Sequence, residues 1–420
     1  MFNGAILEQV FEVNFVQANQ FCTDCHALEA ENTWTAVVQV RQKVPHKRTF
    51  FHLEQLILKH SLHMSTVGIQ EYPDGLDFYF RTRSGATKLT EFLQSRVPLR
   101  LQEAKKLVSQ DDQNNTYKYK YTVSVEIAPI CKGDIMVLPR KLGLRQGNIF
   151  PLVLCTKVAS VIHVIDVKSG QTAEINALAF WKSPFRALAS RDQLSEFVVL
   201  DIEPIDYSYS PSDKFVMADA TVARAADLGV NDVTYSVTTH LGHLLSAGDH
   251  VMGFDLTHAN YNDVNFDKLD AASIPDVVIV KKSYTHIHKK RKRRTWTVQT
   301  MAKMTYHLEP REKSKKKKSA ARAAQAQEER DARDKEIFLR EIEEDPELRA
   351  ELNLYRAEDY EEILRARAER AAASTAVGME GDDDSDVDSD ELPDIPIEDL
   401  LDPLKAVTLD DPNAPPDEDE

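Results

Sequence analysis

The feature that most constrains this chain is how charge is distributed along it. Residues 1–280 carry 26 bases and 32 acids, a mixture compatible with a folded surface. Residues 281–322 carry 16 bases against 2 acids, residues 323–379 carry 9 against 16, and residues 380–420 carry one base against 18 acids. The net charge of −16 therefore conceals a basic belt followed by an acidic tail. Long like-charged runs repel themselves and bury little apolar surface, so the cores must come almost entirely from the first 280 residues.

Within those residues the apolar pattern is mainly that of strands. The clearest runs from Tyr117 to Ile127, with Tyr117, Tyr119, Tyr121, Val123, Val125 and Ile127 on one face and Lys118, Lys120, Thr122, Ser124 and Glu126 on the other. The tyrosines are of a type that stacks on bases, with lysines interleaved for phosphate, but their register continues into Val123 and Ile127, which favours a core face. From Pro129 to Leu188, turns at Lys132-Gly133-Asp134, Gln146-Gly147-Asn148 and Lys168-Ser169-Gly170 separate short apolar runs, as in a small SH3-like barrel. Glu196 to Val280 repeats the style with about five strands and a Gly248-Asp249 turn, as in an OB-like barrel.

After Val280 this periodicity is expected to stop. Residues Ala320 to Ala373 read as charged helix broken at Pro346, with a thin apolar stripe of Phe338, Ile342, Leu348, Leu352 and Tyr355 that reads as a weak docking face or a solvated helix. The expected fold is α+β and mostly β: an α/β N-terminal portion, SH3-like and OB-like small barrels, charged helices and a disordered acidic tail. The corresponding segments are 1–128, 129–190 (SH3-like), 191–284 (OB-like), 285–322 (basic), 323–373 (charged helical) and 374–420 (acidic tail).

Several function classes are disfavoured. There is no apolar run long enough to span a bilayer and no signal-peptide pattern at the start, so no membrane partner and no secretion are expected. The four cysteines, Cys22, Cys25, Cys131 and Cys155, are too few and irregular for a disulfide framework, which points to a reducing compartment. No Gly-rich phosphate loop, Gly-x-Ser-x-Gly elbow or His-Glu-x-x-His is present, so neither an enzyme nor a small-molecule substrate is expected. Cys22-x2-Cys25 is half of a tetrahedral zinc site. His240 and His243 are metal ligands by type, but they lack a carboxylate or third histidine at ligand spacing and read as structural.

What remains is recognition. Lys281, Lys282, Lys289, Lys290, Arg291, Lys292, Arg293, Arg294, Lys315, Lys316, Lys317 and Lys318 form basic clusters that read as a nuclear localisation signal or phosphate-binding patches. In the acidic tail, Ile397, Leu400, Leu404, Val407 and Leu409, overlapped by Leu392 and Ile395, are spaced so that a short helix running into an extended end fills pockets of a partner groove, as in a nuclear export signal. Arg41, Lys43, Lys47 and Arg48, close to Phe50 and Phe51, make the best candidate for RNA backbone contact.

A family resemblance rests on Phe21-Cys22-Thr23-Asp24-Cys25-His26, on Val40-Arg41-Gln42-Lys43, and on Asp74-Gly75-Leu76-Asp77-Phe78-Tyr79. His240-Leu241-Gly242-His243-Leu244-Leu245, Gly253-Phe254-Asp255-Leu256 and Pro275-Asp276-Val277-Val278 add to it. Together they resemble the large-subunit export adaptor family named after nonsense-mediated decay protein three. The resemblance implies translation factor 5A-like barrels, a place on the joining face of the pre-60S ribosomal subunit with its rRNA and ribosomal proteins, and shuttling between nucleus and cytoplasm. It also implies a leucine-rich-signal exportin with Ran-GTP, and importins, as partners. It further implies zinc, held by Cys22 and Cys25 together with three further Cys-x2-Cys pairs of a longer N-terminal region. This chain starts after those pairs, so zinc is expected to be absent or incompletely held.

Overall fold

The computed structural model describes residues 10–15, 34–205, 215–231, 233–259, 261, 263–270, 273–284, 294, 296–301, 317–356 and 400–401. The N-terminal body is organised around strand β1 (Ala36–Gln42), which runs antiparallel to β3 (Gly75–Phe80) and parallel to β5 (Thr116–Ile127). With β2 (Thr66–Tyr72) and β4 (Leu99–Asp111) these form a five-stranded sheet of order β2-β3-β1-β5-β4. β1 is central: Ala36, Val38 and Val40 face the core, while the opposite face carries buried Val37 and half-buried Gln39 and Arg41. Helices α1 (Arg48–Lys59) and α2 (Arg83–Arg96) supply Phe50, Leu53, Ile57, Leu89 and Leu93 to the core under Val38, Phe78 and Val125. Thr82 caps α2 by accepting from the Gly85 N–H. Gly75 is required by close approach: a Cβ there would stand 1.9 Å from the Val40 carbonyl oxygen, blocking the β1–β3 register.

Only the inner end of the tyrosine row joins the core, and Tyr117 at its outer end is exposed. Tyr121 packs against the core, while Tyr119 and Tyr117 climb the strand in a ladder with ring centroids 6.4 Å apart.

The second body is the SH3-like barrel. Strands β6 (Ile135–Val137), β7 (Leu152–Val158), β8 (Val161–Ile165), β9 (Thr172–Asn176) and β10 (Ala187–Ala189) pair antiparallel in the order β10-β6-β7-β8-β9, with short helices α3 (Arg140–Arg145) and α4 (Ala177–Lys182) between them. The third is the OB-like barrel. Strands β11 (Ser195–Pro204), β12 (Ala218–Arg224), β13 (Tyr235–Thr239), β14 (His250–Asp255) and β15 (Val277–Lys282) pair antiparallel in the order β13-β12-β11-β14-β15, and β15 comes back beside β13 to curl the sheet. The two barrels share a cluster in which Ile135, Leu152 and Ile165 of the first meet Phe254 and Val278 of the second.

Beyond them lie β16 (Trp296–Thr297), the long helix α5 (Lys317–Glu344), the one-turn α6 (Pro346–Glu351), β17 (Leu354–Arg356) and β18 (Leu400–Leu401). The break at Pro346 is as expected: Asp345 caps α6, accepting from the Glu347 N–H, and Pro346 takes the first helical position, where no N–H is needed. The apolar stripe is not a solvated face. Phe338 and Ile342 are 2% and 0% exposed and pack with Leu352, Leu354, Trp296 and Leu56 of α1. The helix therefore lies against the body as a strap, because its stripe, narrow as it is, meets an apolar patch on α1 that it covers together with Trp296, Leu352 and Leu354.

Replacing Phe338 with alanine should cost about 3 kcal/mol of the strap's attachment. Amide exchange should then rise along α5 while β1 and β5 stay protected; equal loss of protection in all three would mean the strap is inseparable from the core.

Candidate functional site

The basic loop between β1 and α1 is built by Pro45, which ends the strand, and by the four candidate cations on either side of it. Their fates differ. Lys43 remains 79% exposed and pairs with Glu126 at 2.9 Å. Arg41 lies over the Tyr72 ring and pairs with the buried Asp77 at 2.6 Å. Lys47 is buried, its Nζ 2.8 Å from Glu71 and 2.7 Å from Asp331 of the strap, and its backbone N–H donates to Asp334. Burial opposes that charge, but Asp331 and Glu71 outweigh it and hold the ammonium above its ordinary pKa. Arg48 is also buried and pairs with Glu341 at 2.5 Å. The structure thus corrects the expectation for Lys47 and Arg48: both sit beneath the strap, engaged by carboxylates, and only Arg41 and Lys43 of the four reach the surface.

The same helix gathers cations from every body. Arg191, at the join of the two barrels, meets Glu341 beside Arg48, and burial together with Arg48 depresses its pKa to about 10. Lys132 and Lys157 of the SH3-like barrel pair with Asp345 and, at 3.1 Å, with Glu351. Lys281 pairs with Glu344 at 2.5 Å, and Arg294 grips Glu336 through two nitrogens and Glu343 through a third. Sequence reasoning gave Lys132 only as a turn residue and named neither Lys157 and Arg191 nor the acids opposite all three. The signal was the acidic excess of 323–379 beside that thin apolar stripe, read as separate facts.

The basic belt also differs from expectation at its start. β15 runs through Lys282, whose Nζ pairs with the buried Asp249 at 2.9 Å, so Lys281 and Lys282 are strand residues with engaged ammonium groups. The pairing with β14 continues two residues past the apolar run because backbone hydrogen bonds do not depend on side-chain polarity. Arg294 is likewise engaged, and Lys317 and Lys318 open α5. Lys289, Lys290, Arg291, Lys292, Arg293, Lys315 and Lys316 lie outside the described residues. Of the tail signal, Leu400 falls in β18, paired parallel to β17 opposite Leu354, where a tail disordered when free was expected. The free edge of β17 accounts for that conformation. Leu392, Ile395, Ile397, Leu404, Val407 and Leu409 lie outside the described residues, as do Cys22 and Cys25.

Cys131 and Cys155 do not fit a metal or a reactive thiol. Both are buried in the SH3-like barrel, and burial pushes the Cys131 thiol up to about 11 and the Cys155 thiol well above its usual value. Among the described residues no group of three or more His, Cys, Asp or Glu is placed to hold a metal ion. His240 is buried against the Phe215 ring and, by desolvation, its pKa falls to about 4, so it serves as a neutral packing residue. Its neighbour Gly242 is needed for space, since a Cβ there would come 2.8 Å from Ala218 Cβ.

Three family models match the three bodies: "NMD3, second domain" over residues 33–127, "NMD3 SH3 domain" over 130–178 and "NMD3 OB-fold domain" over 194–282. The protein from Saccharomyces cerevisiae named 60S ribosomal export protein NMD3 is 42% identical over 408 residues, covering 97% of this chain and 74% of that protein. Those of the same name from Chaetomium thermophilum and Homo sapiens are each 41% identical, covering 93% and 84% of this chain and 73% and 67% of their own lengths. The chain belongs to the NMD3 family. The strap lies outside the three matched domain models, yet the similarity to the yeast family member covers too much of the chain to leave it out.

The seam carries a pH dependence. His46 is buried with its Nε2 3.3 Å from Arg48, which donates to it, and burial together with Arg48 lowers its pKa to about 4. The unfolded imidazole titrates near 6.5, so the unfolded state binds the extra proton, and stability present above pH 6.5 is lost as pH falls toward 4, by up to about 3 kcal/mol. Asp134, raised by burial to about 6, acts in the opposite sense. His46→Gln should flatten the acid limb of the unfolding midpoint measured across pH 4 to 7; an unaltered profile would remove His46 from the account.

Proposed function

We propose that this chain is a non-enzymatic adaptor for nuclear export of the large ribosomal subunit. In this reading residues 34–284 bind the joining face of the pre-60S particle through its rRNA and proteins. The basic segment after β15 engages importins, and the acidic tail presents Leu392, Ile395, Ile397, Leu400, Leu404, Val407 and Leu409 to a leucine-rich-signal exportin with Ran-GTP. The protein then shuttles between nucleus and cytoplasm. The observation that carries this is the similarity over 97% of the chain to a protein named for 60S ribosomal export. The tail supports it from chemistry: apolar residues spaced for a groove, in surroundings too acidic to form a core of their own.

Arg41 and Lys43 are the loop cations available to rRNA, whereas Lys47 and Arg48 serve attachment of the strap. Zinc, where Cys22 and Cys25 hold it, needs two further ligands to complete a tetrahedral site; Cys131 and Cys155, buried and with thiols raised above their usual pKa, are poorly suited to supply them.

The test is imaging. A fluorescent fusion carrying Leu404→Ala, Val407→Ala and Leu409→Ala should collect in the nucleus and take a tagged large-subunit protein with it. A variant distributed like its parent would show that the tail is not an export signal and would leave an RNA-binding nuclear protein as the better reading.

A further inference from the structure

Strands β4 and β5 outrun their sheet. Every residue of β4 from Gln102 to Gln110 is exposed, and the hairpin projects past β1 as a two-stranded ribbon beside which no third strand lies among the described residues. A lone two-stranded ribbon is marginal in water, so one this long calls for an explanation outside the sheet. Its two faces differ. One carries the tyrosine ladder with Lys105, whose Nζ stands 3.6 Å from the Tyr119 centroid, and with Glu103, which pairs with Arg83. On the other, Lys118 and Lys120 alternate with the tyrosines, and the register sets Lys106 directly opposite Lys120.

Like charges facing each other across an antiparallel pair repel. Elsewhere on this sheet cations have acids: Lys43 and Arg100 share Glu126, and Arg41 has Asp77. Among the described residues no carboxylate pairs with Lys106, Lys118 or Lys120. Lys120 rests 3.7 Å over the Trp34 ring, which fixes the side chain and leaves its charge uncompensated. Down the same face the register continues with Thr122 and Ser124 before it reaches Glu126, whose carboxylate is taken by Lys43 and Arg100, and at the turn end it reaches Asp111. A bulge at Val108 adds twist, which keeps the outer edge of β4 from pairing with another strand. Asp111 and Asp112 lie beyond the lysines, at the turn end.

The geometry points to this lysine face as a docking surface for the phosphate backbone of structured RNA, with the ribbon laid along a groove by its shaft. Lysines act as point charges and do not impose the paired geometry that reads bases, so the contact positions the chain without selecting sequence. An acidic protein is the weaker candidate, because protein hot spots centre on buried aromatic or apolar anchors. The exposed Leu107 lies on the tyrosine face and Val108 in the bulge. The choice of RNA rests on the ribosomal-subunit reading above; the uncompensated charge does not.

The experiment uses the full chain, a fluorescent stem-loop RNA of arbitrary sequence and a series of salt concentrations. Lys106→Gln, Lys118→Gln and Lys120→Gln together should lower the slope of log affinity against log salt by about 3 and weaken binding near 0.1 M salt on the order of a hundredfold. The unfolding midpoint should hold or rise, since a cross-strand repulsion is removed. Tyr117→Ala with Tyr119→Ala should leave the slope as it was. A triple variant that binds RNA like its parent overturns the proposal, and so does a parent that binds polyglutamate through these lysines while ignoring RNA. Co-sedimentation with purified large subunits separates the two readings: a parent that binds RNA through the ribbon but fails to co-sediment keeps the ribbon and sinks the adaptor.

Discussion

The architecture depends on one contact, the seating of Phe338 and Ile342 of the strap against Leu56 and Trp296. Each fully buried apolar side chain contributes about 1.5–3 kcal/mol, whereas an exposed ion pair contributes about 1 kcal/mol at most. The apolar anchor therefore supplies most of the adhesion. The acids around it decide where the helix lies: they are spaced along α5 so that Asp331 meets Lys47, Glu341 meets Arg48 and Arg191, and Glu344 meets Lys281. Sliding the helix by one turn would leave buried cations without partners, at several kcal/mol each, and that penalty fixes the register more strictly than the attraction does.

The barrels were legible because their signals are local. Alternation marked β5, turn residues at Gly133, Gly147, Gly170 and Gly248 separated the short strands, and each of these glycines has a positive φ that other residues rarely adopt. Pro346 was legible for the same reason, being a backbone property of one residue. The strap was not. Arg48 and Glu341 are 293 residues apart, and a sequence displays a charge without displaying its partner. Runs of base and of acid were therefore read as solvated or as trafficking signals, and Lys47, Arg48, Lys281 and Lys282 were assigned to partners outside the chain when carboxylates inside it hold them. An i, i+4 apolar pair in a charged helix identifies a buried line, but only the structure shows that its complement lies on α1.

Joining the bodies in this way has a consequence for recognition. The SH3-like and OB-like barrels are already fused through the cluster around Ile135, Phe254 and Val278, and the strap then ties both to the N-terminal sheet through Lys132, Lys157, Lys281 and Lys47. A multidomain surface bound by one rigid partner pays less ordering entropy if its parts are fixed beforehand. The strap achieves that fixation with charges which would otherwise spread positive potential over the seam.

The seam and the ribbon hold cations of two kinds. At the seam, Lys47, Arg48, Lys281 and Arg294 are each held by acids, which weaken their long-range field at source. On the ribbon, Lys106 and Lys118 are exposed and, among the described residues, in no ion pair, and their field reaches about a Debye length, roughly 8 Å at physiological salt. Since residues 1–280 carry more acids than bases, anionic polymers are repelled from much of that surface and drawn to places, such as this ribbon, where cations are left unmatched. Selective pairing of this kind gives an acidic protein a defined place to meet RNA, which an evenly basic surface, binding polyanions everywhere, would not provide.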